Sequence, residues 1–186
     1  MTSSRIILLN GAGSAGKSSI ARALQAITRE PYLHVAMDAF LDMLPGAYQD
    51  DPESFRYETL TASGSPEVAI HAGPAGVRLM AGMRAAIAGL AAEGNNLIVD
   101  DVIFGDDGSI ADYRARLAGH PFYVVAVHAP LDVLEAREKA RGDRLIGLAR
   151  WQFPRVHAGL TYDFEVNTAA NPPETCARLI RDRFDL

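Results

Sequence analysis

The chain has 186 residues, 48% of them hydrophobic and 22% charged, with a formal net charge of −5. That size and composition suit one globular domain with a full core, and the acidic balance argues against a surface built for nucleic acid or an anionic membrane. The single cysteine, Cys176, excludes an intrachain disulfide and a cysteine-cluster metal site and fits a reducing compartment.

Residues 1–5 lack the layout of a signal peptide, and no run approaches the ~20 apolar residues of a membrane span. The expectation is a soluble, cytoplasmic protein. Residues 5–10 hold Ile6, Ile7, Leu8 and Leu9, a short apolar run suited to a buried parallel strand. Gly11, Ala12, Gly13, Ser14, Ala15, Gly16, Lys17 and Ser18 follow, and they match G-x-x-x-x-G-K-[ST], the phosphate-binding P-loop. Ile20, Ala21, Ala23, Leu24 and Ile27 then fall at helical spacing, predicting a helix from Ser18 to near Arg29, where Pro31 forbids continuation. The motif therefore lies between a strand and a helix, its required context. Its glycines let backbone N–H groups approach phosphate oxygens, and the helix start adds its positive dipole end. Lys17 should reach the β- and γ-phosphates of ATP, and Ser18 should bind Mg²⁺. Ser19 completes the nucleotide-binding run.

Residues 32–37 read as the second strand, with Asp38 at or just past its end, the sheet edge where open α/β sheets bind ligands. A short helix over 39–44 follows. Asp38 is the candidate base for an acceptor hydroxyl, or else the N-cap of that helix; Asp42 is the weaker alternative base. Residues 46–74 are too long for an ordinary connection. Segments 55–60 and 67–71 flank a Ser-Gly-Ser-Pro turn and suit a hairpin. We read this insertion as an acceptor-binding segment rather than a mobile loop, since polar segments beside a P-loop commonly shape substrate sites. It holds only Arg56 against Asp50, Asp51, Glu53, Glu58 and Glu67, which favours a neutral or cationic acceptor.

Residues 75–93 form a strong helix ended by Gly94, and 96–101 a third core strand that closes on Asp100 and Asp101. An acidic residue here helps hold Mg²⁺ in P-loop enzymes. Neighbouring strand residues face opposite ways, so one of the two is expected at the metal, and the sequence does not say which. A helix over 109–118, a strand over 122–127 and a helix over 131–141 follow. Arg137, Arg141 and Arg144 lie three or four residues apart near Gly142, a pattern suited to a lid over 137–152 that stabilises transferring charge and excludes water. The competing view is a solvated face with Glu135 and Glu138 as partners. A short helix over 145–151, a strand over 164–168 and a helix over 173–184 close the chain. The five histidines show no metal spacing.

The alternation predicts one α/β domain of P-loop NTPase type over residues 1–186. It has three layers, a five-stranded parallel sheet with helices on both faces, and carries a lid. Positions 7–18 resemble the start of the chloramphenicol 3-O-phosphotransferase family. Met37-Asp38, the segment 98–102, the arginine segment 137–144 and the closing stretches 156–159 and 162–166 resemble it too. The resemblance implies ATP-dependent phosphorylation of a small alcohol, with Asp38 matching the base and 137–144 the lid; residues 46–74 match it poorly. The alternatives are a metabolic kinase of the shikimate, gluconate or nucleotide type, and a nucleotide-binding regulator without chemistry. A GTP switch would need an Asn-Lys-x-Asp stretch, which the sequence lacks.

Overall fold

The computed structural model of the chain describes residues 3–60, 64–105, 107–142 and 145–186. At its centre is a five-stranded sheet built from β1 (Ile6–Asn10), β2 (Tyr32–Ala36), β5 (Asn96–Asp101), β6 (Phe122–His128) and β7 (Phe164–Asn167). Its strand order is β2-β5-β1-β6-β7, and every pairing is parallel. β1 lies in the middle and is buried on both faces, which is why it reads as an unbroken apolar run.

Alternate side chains of β1 serve the two faces. Ile7 and Leu9 pack with Ile20 and Leu24 of α1 (Lys17–Gln25) and with Ala177 and Ile180 of α7 (Pro173–Phe184). Ile6 and Leu8 pack with Met83 and Ile87 of α3 (Pro74–Ala92) and Tyr113 of α4 (Ser109–Arg116). The three-layer expectation holds. The first helix stops at Gln25, short of Arg29, and the second strand stops at Ala36, so Met37 and Asp38 belong to α2 (Met37–Leu41).

Among the described residues α3 alone is, by length and composition, apolar enough to cross a membrane. Its Met83, Ile87 and Ala91 are buried in the core, which accounts for part of that apolarity.

The hairpin predicted within the insertion is present as β3 (Phe55–Leu60) and β4 (Glu67–Ala72), an antiparallel pair separate from the main sheet. It is tied down at both ends. Gly73 N–H donates to Ser54 O at 2.6 Å, and Ala75 N–H donates to Glu53 O at 2.7 Å. Val68 N–H donates to Gly147 O at 3.0 Å, just ahead of α6 (Leu148–Gln152). Gly76 permits the close docking of α3, because a Cβ there would lie 2.5 Å from Ser54 O.

α5 (Leu131–Arg141) ends where expected, with Gly142 in the left-handed conformation at φ 70°. Glu138 does not lie on a solvated face, as the competing view of the arginine segment had it. It is 1% exposed, and its carboxylate accepts N–H bonds from Gly147 and Ala149, each at 2.8 Å. Those are groups that the start of a helix leaves unpaired. A residue of α5 thus fixes α6, and through Gly147 the hairpin.

Candidate active site

The P-loop connects β1 to α1, with Gly16 at φ 97°, a conformation that a residue with a Cβ reaches only under strain. Lys17 opens α1 and is 7% exposed. Its Nζ donates to Gly11 O at 2.8 Å and Ala12 O at 3.2 Å, and lies 3.7 Å from Asp100 Oδ1. The ammonium is therefore folded over the loop at the end of β5. Ser18 Oγ donates to Asp100 Oδ2 at 2.5 Å, and His34 Nε2 lies 3.5 Å from the same oxygen.

The two aspartates at the end of β5 part as strand geometry requires. Burial pushes the Asp100 carboxyl up, but Lys17, His34 and Ser18 outweigh it and hold the group below its usual value. Asp101 faces away from the P-loop. Its Oδ2 accepts from Tyr113 Oη at 2.9 Å and its Oδ1 from Val102 N–H at 2.8 Å. Burial dominates there and raises its pKa. The Ser18 hydroxyl and the Asp100 carboxylate form a pair of adjacent hard oxygen donors. Among the described residues no group of three or more His, Cys, Asp or Glu is placed to hold a metal. A sparse oxygen set of this kind fits Mg²⁺, which takes one or two protein oxygens and completes its shell with phosphate and water.

A cavity of about 480 Å³ opens over the P-loop. It is lined by Ser14, Lys17, Ser18, Asp38, Asp100, Arg137, Arg141 and Thr168, among others. Arg137 Nη1 donates to Thr168 Oγ1 at 2.8 Å and Nη2 to Thr168 O at 2.9 Å, while Thr168 Oγ1 donates to Ala15 O at 2.7 Å. Arg137 is thus braced against the P-loop through Thr168, and Arg141 borders the cavity one turn further on. Arg144 lies outside the described residues. Asn167 accepts the N–H groups of Ala169 and Ala170, closing the turn that follows β7.

A second cavity, about 390 Å³, lies beside the first and is bounded by Phe55, Tyr57, Ile70 and Ala72 of the hairpin, Gly76, Met80, Met83 and Arg84 of α3, and Asp101. It also meets Leu148 and Gln152 of α6. A third, the outer cavity, of about 520 Å³, shares Phe55 and Tyr57 with the second and takes in Asp38, Asp42, Tyr48, Asp50 and Arg141. Asp38 borders all three. It lies inside the first turn of α2, whose N-cap position is Ala36, so the reading of Asp38 as an N-cap is corrected. Asp42 borders only the outer cavity among the three.

Sequence reasoning missed Thr168, Glu138 and Gln152. Thr168 follows the carboxyl end of a core strand, a position that could have flagged it. A lone buried glutamate or glutamine in a helix leaves no pattern to find.

The parallel sheet, the P-loop at its carboxyl edge and the Lys17–Ser18–Asp100 cluster define the class: a P-loop phosphotransferase. Solved structures agree in fold. A sugar kinase from Janibacter superposes with a TM-score of 0.66 at 18% identity, covering 98% of this chain and 95% of its own. A gluconokinase from Sinorhizobium meliloti gives 0.65 at 18%, covering 98% and 92%. The Mycobacterium tuberculosis APS kinase gives 0.64 at 15%, covering 98% of each. A Mycobacterium tuberculosis protein provisionally named an O-phosphotransferase is 33% identical over 99% of this chain and 84% of its own. Residues 4–185 match the chloramphenicol phosphotransferase-like family, and the chain belongs to it. It is an enzyme that transfers a phosphoryl group to a hydroxyl acceptor.

Proposed function

We propose that this protein moves the γ-phosphate of ATP to a hydroxyl of a small neutral or cationic molecule, working as one domain over residues 1–186. The observation that carries the reading is Asp38, which borders both the phosphate cavity and the cavity beside it. A carboxylate there can hold an acceptor O–H on one side while facing the γ-phosphate on the other. The 390 Å³ cavity is our candidate acceptor pocket; its volume falls within the range that takes a drug-sized ligand.

Backbone N–H groups within the run Gly11 to Ser19, other than that of Gly13, which donates to Gln152, would cradle the phosphates, and Lys17 would offset charge on the β- and γ-oxygens. Ser18 and Asp100 would hold Mg²⁺, whose charge when bound offsets that of the phosphates. Asp38 would orient the acceptor hydroxyl and take its proton. Arg137 and Arg141 would face the charge that develops on the transferring group, with residues 137–152 closing over it to exclude water. The turn over 167–171 is our candidate for the adenine end.

Acceptor charge is argued from the pocket lining. Arg84 borders the pocket, but its Nε is bound to Asp112 Oδ2 at 2.6 Å. Asp38, Asp101 and Asp107 border it as well. That balance supports a neutral or cationic acceptor over the carboxylates and phosphates of the metabolic kinases. The lone cysteine, Cys176, is free and buried, in keeping with a cytoplasmic location.

The test is a screen of hydroxylated small molecules with γ-labelled ATP, with chloramphenicol first because the family carries its name. Label appearing on one compound at a rate above background hydrolysis supports the reading and identifies the acceptor. Label appearing only on carboxylate- or phosphate-bearing compounds would overturn the neutral-or-cationic acceptor and favour a metabolic kinase.

A further inference from the structure

Gln152 ends α6 and is 2% exposed, a buried amide lining the 390 Å³ cavity. Its Oε1 accepts the N–H of Gly13 at 2.6 Å, within the phosphate cradle. That bond fixes which way the amide points, because the NH₂ end could not accept from a backbone N–H. The NH₂ end makes no hydrogen bond to any described residue, and Gln152 lines the cavity that also holds Asp38, Phe55 and Tyr57. That end keeps both of its N–H donors available to whatever enters the cavity.

The amide is also held still. Glu138 accepts the N–H groups of Gly147 and Ala149, and Gly147 O accepts from Val68 of the hairpin. A donor fixed in this way loses little freedom when it meets a reacting atom, the condition for electrostatic preorganisation.

We propose that Gln152 is a catalytic residue of the phosphoryl transfer, its Nε2 donating to the oxygen that attacks the γ-phosphorus. This rests on the reading of the site as an ATP-dependent phosphotransferase. The attacking hydroxyl oxygen has two lone pairs. One accepts from Gln152 Nε2, and the other forms the new O–P bond. The bond from the γ-phosphorus to the bridging oxygen breaks, its electron pair leaves with ADP, and the hydroxyl proton passes to the Asp38 carboxylate. Water in the acceptor's place would be held in the same way, so the contact can be examined without the acceptor.

The probe is Mg²⁺·ADP with and without aluminium fluoride, which forms a flat phosphoryl mimic with a water in line. Dissociation constants are measured by fluorescence with a labelled ADP, alongside thermal midpoints. The wild-type protein should bind the fluoride complex more tightly than ADP alone. Gln152→Met keeps the length and removes the donor. It should bind ADP within about 3-fold of wild type yet lose roughly 10- to 100-fold on the fluoride complex, the scale of a hydrogen bond to a charged group. Gln152→Glu keeps an oxygen for Gly13 N–H and should lose at least as much; it serves if the methionine variant does not fold. A purely structural glutamine would change both constants together and leave their ratio intact. A folded variant that keeps the full fluoride gain overturns the proposal, as does a wild-type protein that binds ADP with no gain from fluoride. Failure of the wild type to bind ADP at all would instead sink the phosphotransferase reading.

Discussion

The two sides of this site are built by different rules. The floor of the phosphate side is one continuous stretch, Gly11 to Ser18, closed by Asp100 from the neighbouring strand β5, with Arg137, Arg141 and Thr168 bordering it. The proposed acceptor side is assembled from segments far apart in the chain: the hairpin, α3, the end of β5 and α6. Local backbone geometry fixes the first, and tertiary docking fixes the second. A substitution on the phosphate side should therefore act on ATP and on every acceptor alike. One on the acceptor side should act on acceptor choice and leave ATP binding alone.

The strongest break in that comparison is Lys17→Ala. Its Nζ is folded over the P-loop and lies within 3.7 Å of Asp100. Losing a preorganised donor costs roughly 10²–10³-fold in kcat, and ATP affinity should fall as well, so kcat/KM for ATP should collapse. Steady-state kinetics and nucleotide titration check both, with the thermal midpoint as a control for folding. Unchanged kcat would remove the P-loop from the mechanism.

Asp38→Asn tests the point where the two sides meet. Asp38 lies inside α2 and does not occupy its N-cap position, so the amide should leave stability nearly unchanged. It cannot take the acceptor's proton, and kcat should drop by roughly 10²–10⁴-fold, with ATP affinity held. A raised Mg²⁺ requirement would instead mark Asp38 as a metal ligand. Near-normal transfer would pass the role to Asp42.

Gly76→Ala sharpens the comparison on the acceptor side alone. The added Cβ would lie 2.5 Å from Ser54 O and 3.0 Å from the Phe55 ring, so α3 and the hairpin must move apart. Overpacking of this kind costs about 1–3 kcal/mol. Phe55 lines the proposed acceptor cavity, so the acceptor KM should rise several-fold while the ATP dissociation constant stays put. Equal changes in both constants would mean that the two sides are not separable.

That asymmetry also sets what could be read in advance. Elements with their own periodicity or motif were legible: the P-loop, the core strands, the hairpin and α5 up to Gly142. The ends of α1 and β2 were not, because the chain stops its pattern before Pro31 and passes from strand to helix at Met37 without a cap residue. The roles of Asp100 and Asp101 separated only once Ser18 and Tyr113 were placed on opposite sides of β5. The competing view of Glu138 as a surface partner for arginines failed because helical spacing says which residues share a face, and nothing about what covers that face. Gln152 carries no motif at all. Its position follows from Gly13, Glu138 and the hairpin, which no window of sequence brings together.

The smallest effect expected lies beneath the phosphate side and concerns stability. His157 packs against His128 at 4.2 Å between ring centres, and its Nδ1 is 2.7 Å from the Tyr162 hydroxyl. Burial first, and the neighbouring His128 second, lower its pKa from 6.5 to about 4, against an opposing pull from Glu165. The folded protein thus keeps this ring neutral where the unfolded chain takes up a proton. Its contribution is fully present above pH 6.5 and is lost as pH falls from there toward 4. Asp101 acts with the opposite sign. Its raised pKa means that the folded state gains relative stability as pH falls through that value. A single acid-denaturation curve mixes the two, so the informative quantity is the difference between wild type and His157→Gln. Glutamine can still meet the Tyr162 hydroxyl but does not titrate. The thermal midpoint of the variant should decline less steeply than that of wild type between pH 6.5 and 4, and the two should run parallel above pH 7. Parallel curves throughout would mean that His157 stays exposed enough to protonate in the folded protein, and that acid sensitivity arises elsewhere.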